Sequence, residues 1–353
     1  MHTLSAICLL LSLQVTPQEA PLERIVFGSC FKTDGDPQVW SVIDGVAPDA
    51  LVLLGDNVYA DTEDMAIMRA RYEALDALPD FRSLRSKAHL IATWDDHDYG
   101  EDDAGREYGM RAESQEVFLD FLGEPADSQR RRTPGVHGSR ILGPEGRRVQ
   151  FLVLDTRYFR DPLERRSNPG LRAFGRYGPY EPTADPSLTL LGEEQWQWLG
   201  EELKKPAEVR IVVSSIQFVA DEHGWEKWGN FPHERERFLR LVRDTGAEGV
   251  LILSGDRHHA ELSVMPPSEA LPYPLYDITS SSLNRGSSFR NEVNRYRHGS
   301  KLHAENFGSL EIDWATEDPR ITLRIHQASN GRAVIAHHVP LSSLRPSPSS
   351  RTR

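Results

Sequence analysis

The residues that could do chemistry in this chain fall in four short turns. They are Gly28-Ser29-Cys30, Gly55-Asp56-Asn57-Val58-Tyr59, Trp94-Asp95-Asp96-His97-Asp98 and Gly255-Asp256-Arg257-His258-His259. Each follows a β-rich run, and open α/β sheets bind ligands beyond the carboxyl ends of their strands. Turns far apart in sequence can therefore converge. Asp offers hard oxygen donors, His a borderline nitrogen, and a Cys thiolate favours a transition metal. A single Gly-Asp turn is an ordinary cap or turn former. Three carboxylates around His97 are different, because they repel one another unless a cation sits among them. With Cys30 and His258 added, the set reads as a metal site. Two adjacent cations could hold a phosphoryl group from both sides and lower the pKa of a bound water.

The elements that must position these turns alternate. Strand patterns cover Arg24–Phe27, Ala50–Leu54, Ala88–Trp94, Val136–Leu142, Arg147–Asp155, Val209–Ile216 and Gly249–Leu253. Helical patterns fall at about 36–45, 63–75, 111–122, 192–204 and 234–242, with loops at 99–110 and 123–135 and a long surface insertion at 161–187. Beyond Ala260 the pattern turns to strands, at Tyr276–Thr279, Gly308–Trp314, Ile321–Ile325 and Ala333–Val339. The expected domain runs from 21 to 341 as one α/β unit: βα units first, then added strands forming a second sheet. The Ser-, Pro- and Arg-rich stretch 342–353 reads as a disordered tail.

Composition narrows the function classes. The 353 residues carry 53 Asp and Glu against 41 Lys and Arg, a formal charge of -12. An acidic chain is a poor partner for nucleic-acid phosphates, so no stable nucleic-acid complex is expected. No apolar run approaches the roughly 20 residues of a bilayer-spanning helix, so no transmembrane segment is expected. Leu4–Leu13 is a short apolar stretch, followed by mostly polar residues up to Glu19 and by Ala20. Residues 1–20 read as a signal peptide, which makes the protein secreted or periplasmic. Its removal leaves Cys30 as the lone cysteine, unable to form an intramolecular disulfide; a bound metal would occupy the thiol.

The chain resembles the compact branch of the alkaline phosphatase D (PhoD-like) family, within the calcineurin-like metallophosphoesterases. The carrying stretches are residues 27–30, 54–61, 93–100 and 154–160, then Ser214-Ser215-Ile216-Gln217-Phe218 and residues 254–261. Their order and spacing match from about residue 23 to 340. The resemblance implies a four-layer αββα sandwich with two packed mixed sheets. It implies metal ligands at Cys30, Asp56, Tyr59, Asp96, Asp256 and His258, with Asp56 bridging and Asp95 the alternative to Asp96. The metals implied are Fe3+ with Ca2+, zinc or manganese being the alternatives.

His97 would stand beside the phosphate as charge stabiliser or proton donor, or else only orient a metal-bound carboxylate. Arg157 would fork onto phosphate oxygens, or else pair with Asp155 or Asp161. Related enzymes outside the family have a His where this chain has Ser215, Ile216 and Gln217. His223 reads as a surface or substrate-side residue, and Trp225 and Trp228 as core aromatics or as flanks for a nucleobase or lipid group. The expected function is hydrolysis of phosphate mono- or diesters by a metal-activated hydroxide, on a small-molecule, lipid or nucleotide substrate. The alternative is a non-catalytic exported protein that binds metal or phosphate. Amino-terminal sequencing of exported material should give a start near Pro21; intact Met1 in cytoplasmic protein would reject the leader.

Overall fold

The parallel strands are short, continuous apolar runs, as strands covered on both faces must be. Arg24–Gly28 (β1), Ala50–Leu54 (β2) and His89–Thr93 (β3) lie parallel. Asn306–Asp313 (β10), Arg320–Gln327 (β11) and Ala333–Pro340 (β12) add antiparallel to the free edge of β1, giving the order β12-β11-β10-β1-β2-β3. The second sheet runs β4-β5-β6-β7-β9-β8. Its strands are Gly138–Leu142 (β4), Val149–Val153 (β5), Val209–Val213 (β6), Val250–Ser254 (β7), Ala260–Met265 (β8) and Leu275–Ser280 (β9). Strands β5, β6, β7 and β9 are parallel, and β4 and β8 close the two edges antiparallel. Both sheets are mixed, as expected. The computed structural model describes residues 20–167, 177–286 and 292–347, so residues 1–19 of the leader, 168–176 of the expected insertion and 348–353 lie outside the described residues.

Strand alternation shows how the layers stack. Ile25, Phe27, Ala50, Val52 and Leu54 join the core shared with the second sheet, while Val26, Leu51 and Leu53 point the other way. That outer face is covered by Gln38–Val46 (α1), Met65–Asp76 (α2), Pro79–Lys87 (α3) and Arg111–Leu122 (α5). Gly192–Leu203 (α6) and Pro232–Thr245 (α7) cover the second sheet. A four-residue helical turn, Asp96–Tyr99 (α4), interrupts the expected loop after β3. The result is the expected αββα arrangement.

Three details depart from the sequence reading. Helix α3 was not expected; Pro79 starts it and only Phe81 and Leu84 are buried, so its apolar stripe is too thin to stand out. Strand β8 was not expected either, because His258-His259 and Glu261 mask its beginning. The expected tail is ordered at its start: Leu341 and Leu344 are buried, and Ser342 bonds twice to Asp318, at 2.9 and 2.6 Å.

Strand β10 carries a close approach that fixes its composition. Gly308 faces Phe27 across the β1–β10 pair, and a Cβ there would lie 2.1 Å from the Phe27 ring. Gly308→Ala should therefore destabilise the fold by overpacking, by about 1–3 kcal/mol in equilibrium urea unfolding. An unchanged midpoint would mean that the Phe27 ring moves aside freely.

Candidate metal centre and phosphate pocket

The site forms where the parallel strands of both sheets end. Its turns share an uncommon backbone conformation. Among the described residues, Cys30, Asp56, Asp61, Asp103, Asp256 and His258 all have positive φ, between 44° and 66°. Ala47 is the other non-glycine residue with positive φ. Left-handed backbone is costly for side chains with a Cβ and persists where the surroundings over-determine it. Gly55, at φ 97°, has no room for a Cβ: one would lie 2.5 Å from the Asp95 Cβ.

These turns bring most of the expected ligands together. Cys30, Asp56 and His258 form one group with all ligand atoms within 4.8 Å of one another, and Asp56, Asp96 and His97 form a second. Asp56 belongs to both. The Tyr59 hydroxyl lies 2.9 Å from Asp56 Oδ2 and 3.2 Å from His258 Nε2, so it extends the first group. Asp256 falls in neither group, although its Oδ2 is buried without a hydrogen-bond partner. Asp56 Oδ1 and Asp96 Oδ1 are likewise buried and unpartnered. Such oxygens are costly unless a cation takes them.

The electrostatics point the same way. Burial, with the charge of Asp56, pushes the Cys30 thiol well up. Burial with the Asp56 and Cys30 charges does the same to the Tyr59 phenol. Burial and Asp96 raise Asp56, and burial raises Asp256 despite the neighbouring Arg257. Thiolate, phenolate and carboxylates can all be ionised here only beside positive charge. His258 is pushed down to about 3 by burial and by Arg285 and Arg257, which leaves the neutral imidazole a metal ligand needs. His97 moves oppositely. Burial would lower it, but the Asp61 bond and the charges of Asp56 and Asp96 push it up to about 10. Its Nδ1 lies 2.5 Å from Asp61 Oδ1.

Asp98, the third carboxylate of its turn, faces away from both groups. It accepts from the backbone of Asp95 (2.7 Å), Asp56 (3.1 Å) and Asn57 (3.1 Å), from Asn57 Nδ2 (2.6 Å) and from the Tyr72 hydroxyl (2.9 Å). It thereby fastens the Asp56 turn to the Asp96 turn. Asp95 is also committed elsewhere: its Oδ1 accepts from Arg157 Nε and from Ser215 Oγ, each at 2.6 Å. Of the two neighbours, Asp96 is the one that joins the ligand groups.

Arg157 is fully buried, and its fork is filled by carboxylates. Besides Asp95 it holds Glu226, at 2.8 Å from Nη1 and 2.5 Å from Nη2. Asp155 accepts only its backbone N–H, at 2.9 Å, and Asp161 pairs with Arg106 instead. Glu226 was not anticipated. It sits in the Trp225–Trp228 loop, also pairs with Arg160 at 3.0 Å, and forms a third acidic group with Asp96 and Asp103. No spacing signal marked it, since its partners come from three other segments.

A cavity of about 270 Å³ opens over these groups, lined in part by Asp96, His97, Asp256, His258, Trp225 and Arg285. Trp225 borders it, whereas Trp228 is buried in the core. His223 is not at the surface. It is buried with Nε2 3.1 Å from Gln217 Oε1, and Gln217 is held by Glu261 and Thr279. The place of the His found in related enzymes is thus filled by a polar network that orders the loop.

Fold and site together define a class. The chain superposes on a solved structure of PhoD with a TM-score of 0.66, covering 93% of this chain and 74% of that one at 16% identity. It superposes on purple acid phosphatase PPD1 from yellow lupin (Lupinus luteus) seeds with a TM-score of 0.62, covering 92% of this chain and 55% of that one at 13% identity. The architecture is therefore that of metallophosphoesterase-type phosphatases. Residues 25–323 match the model of the PhoD-like phosphatases, and the chain belongs to that family. Alkaline phosphatase D of Bacillus subtilis (strain 168) is 27% identical over 186 residues, a stretch covering 48% of this chain and 30% of that protein.

The filled fork of Arg157 generates a prediction. Arg157→Met leaves Asp95 and Glu226 as buried carboxylates without their counter-ion, which should cost about 3–5 kcal/mol in urea unfolding of metal-free protein. A variant of unchanged stability with weakened substrate binding would return Arg157 to the phosphate.

Proposed function

We propose that this chain is an exported metallophosphatase that hydrolyses phosphate esters with two cations sharing Asp56. The observation that carries the reading is the membership of Asp56 in both ligand groups, with an unpartnered buried oxygen to spare. Cys30, Tyr59 and His258 suit the harder-won, trivalent side, as ferric iron with thiolate and phenolate donors. Asp96, with Asp256 nearby, suits a hard divalent ion such as calcium. Zinc or manganese are the alternatives. Bound there, such ions neutralise phosphoryl charge and supply an acidified water at neutral pH.

The chain's own groups do the rest. His97 is fixed through Nδ1 by Asp61, and its Nε2, 3.8 Å from Asp102, is the nitrogen left to donate to a departing oxygen. Arg157 acts as a positioning residue: it holds Asp95 and Glu226, so the Asp96 turn and the Trp225 loop keep their places around the cavity. Export is supported by the apolar leader pattern; removal of that leader, with Cys8, would leave Cys30 as the lone cysteine, its buried thiol protected by a metal.

Asp56→Asn removes a charged donor from both groups at once. Turnover of p-nitrophenyl phosphate and its bis ester should fall by at least about a hundredfold, and elemental analysis should show metal lost. Near-normal turnover at full metal content would sink the shared-ligand reading. Metal-loaded wild-type protein without any turnover would leave the non-catalytic alternative standing. The iron assignment has its own readout. A phenolate on ferric iron absorbs visible light, so iron-loaded protein should be coloured and Tyr59→Phe should lose or shift the band. A colourless iron-replete sample, or an unchanged spectrum in the variant, would remove Tyr59 from the metal.

A further inference from the structure

The pocket needs a cation for phosphoryl oxygens that the metals do not take, and Arg157 is already filled. We propose that Arg285 is that group: its guanidinium holds a non-bridging oxygen of the bound phosphoryl group. The inference rests on the phosphatase reading for its ligand class and goes beyond it in assigning the residue.

Arg285 is carried to the site by a segment stapled onto the Cys30 turn. Leu283 N–H donates to Ser29 O at 3.0 Å. Asn284 accepts from Lys32 N–H at 2.7 Å and donates to Lys32 O at 2.8 Å. Ser281 Oγ lies 3.1 Å from Cys30 Sγ and accepts His258 N–H at 2.8 Å. Gly28 has no room for a side chain, because a Cβ would meet Leu283 at 2.6 Å. The backbone leading to Arg285 is thus locked to two of the turns that bear ligands.

The guanidinium lies over the Tyr59 ring, 4.5 Å from its centroid, and borders the cavity with His97 and His258. Its Nη1 is buried without a hydrogen-bond partner. Arg257, Arg160 and Arg157 each also have one buried nitrogen without a hydrogen bond, but their charges are neutralised: Arg257 by Glu292 at 2.7 Å, Arg160 by Glu226, and Arg157 by Asp95 and Glu226. Arg285 pairs with no carboxylate among the described residues. A buried, unpartnered N–H on a full cation is costly, and the planar fork suits two oxygens of one phosphate. An oxyanion arriving in the cavity satisfies the orphan donor and the charge together. Stacking on Tyr59 and a side-chain hydrogen bond with it hold the fork in place and leave Nη1 unpaired.

The test is calorimetric binding of inorganic phosphate to metal-loaded protein, with Arg285→Met and Arg285→Lys beside wild type. Arg285→Met should weaken phosphate binding by about ten- to a hundredfold, the scale of a charged hydrogen bond. KM for p-nitrophenyl phosphate should rise more than kcat falls. Arg285→Lys should recover part of the affinity, since it restores charge but not the fork. Metal content and the visible band of iron-loaded protein should stay as in wild type. Unchanged phosphate affinity in Arg285→Met would overturn the assignment. So would metal loss or a band shift in step with activity, which would make Arg285 a support for Tyr59 alone. Wild type that binds phosphate but turns over no ester would defeat the phosphatase reading, while the binding comparison would still judge Arg285.

Discussion

Everything at this site depends on how buried negative charge is tolerated. Asp56, Asp95, Asp96, Asp98 and Glu226 are all almost fully buried near the ends of the strands. Carboxylates so placed cannot all be ionised without compensation. The structure supplies two kinds. Asp98 is satisfied by five donors from three segments, and Asp95 and Glu226 by Arg157 and Arg160. Asp95 and Glu226 keep one buried oxygen each without a hydrogen bond but have close cationic partners; Asp56, Asp96 and Asp256 have such an oxygen and no arginine closer than 3.8 Å. The arginines are thus paired with carboxylates that build the site, and the carboxylates without such a pair are the ones in the proposed metal groups.

The same division explains why the two sheets hold a rigid site. Asp95 follows β3 in the first sheet and Arg157 follows β5 in the second, so their ion pair crosses between sheets. Thr93 Oγ1 donates to Leu154 O at 2.7 Å, another tie across the same boundary. Helix caps and turns cannot give such a link, because they join neighbours in sequence. The left-handed residues Cys30, Asp56, Asp256 and His258 lie in the turns at the ends of β1, β2 and β7. Their backbone cost is sustained by packing and hydrogen bonds that would be lost if the turns relaxed.

Likeness to PhoD and to a purple acid phosphatase at 16% and 13% identity is a likeness of architecture. What ties chemistry to the architecture is the set of side chains at the strand ends. In this chain those side chains include a filled guanidinium at Arg157 and an unfilled one at Arg285. The first pairs with buried Asp95 and Glu226 and does not line the cavity, and the second borders the cavity itself. Arginines of equal formal charge therefore differ in role by what already occupies their N–H groups.

By itself the sequence determined the strands that carry ligands, since each is a short apolar run closed by a turn of Gly, Asp or His. Local pattern suffices there, because a strand buried on both faces must be apolar throughout. Residue types also marked Cys30, Asp56, the Asp95-Asp96-His97-Asp98 turn and His258 as a set that suits a cation, whereas Tyr59 came in only through the family resemblance. Helix α3 and strand β8 escaped it because their apolar residues are few or masked by polar neighbours. Only the tertiary structure put Asp96 rather than Asp95 among the grouped donor atoms, made Asp98 a fastener, and gave Arg157 to Asp95 and Glu226. Those outcomes depend on which segments meet, and Glu226 and Arg285 lie about 70 and 130 residues beyond Arg157 in the chain. A side chain's type states what it can bind; its partners, set by packing across two sheets, state what it is free to bind.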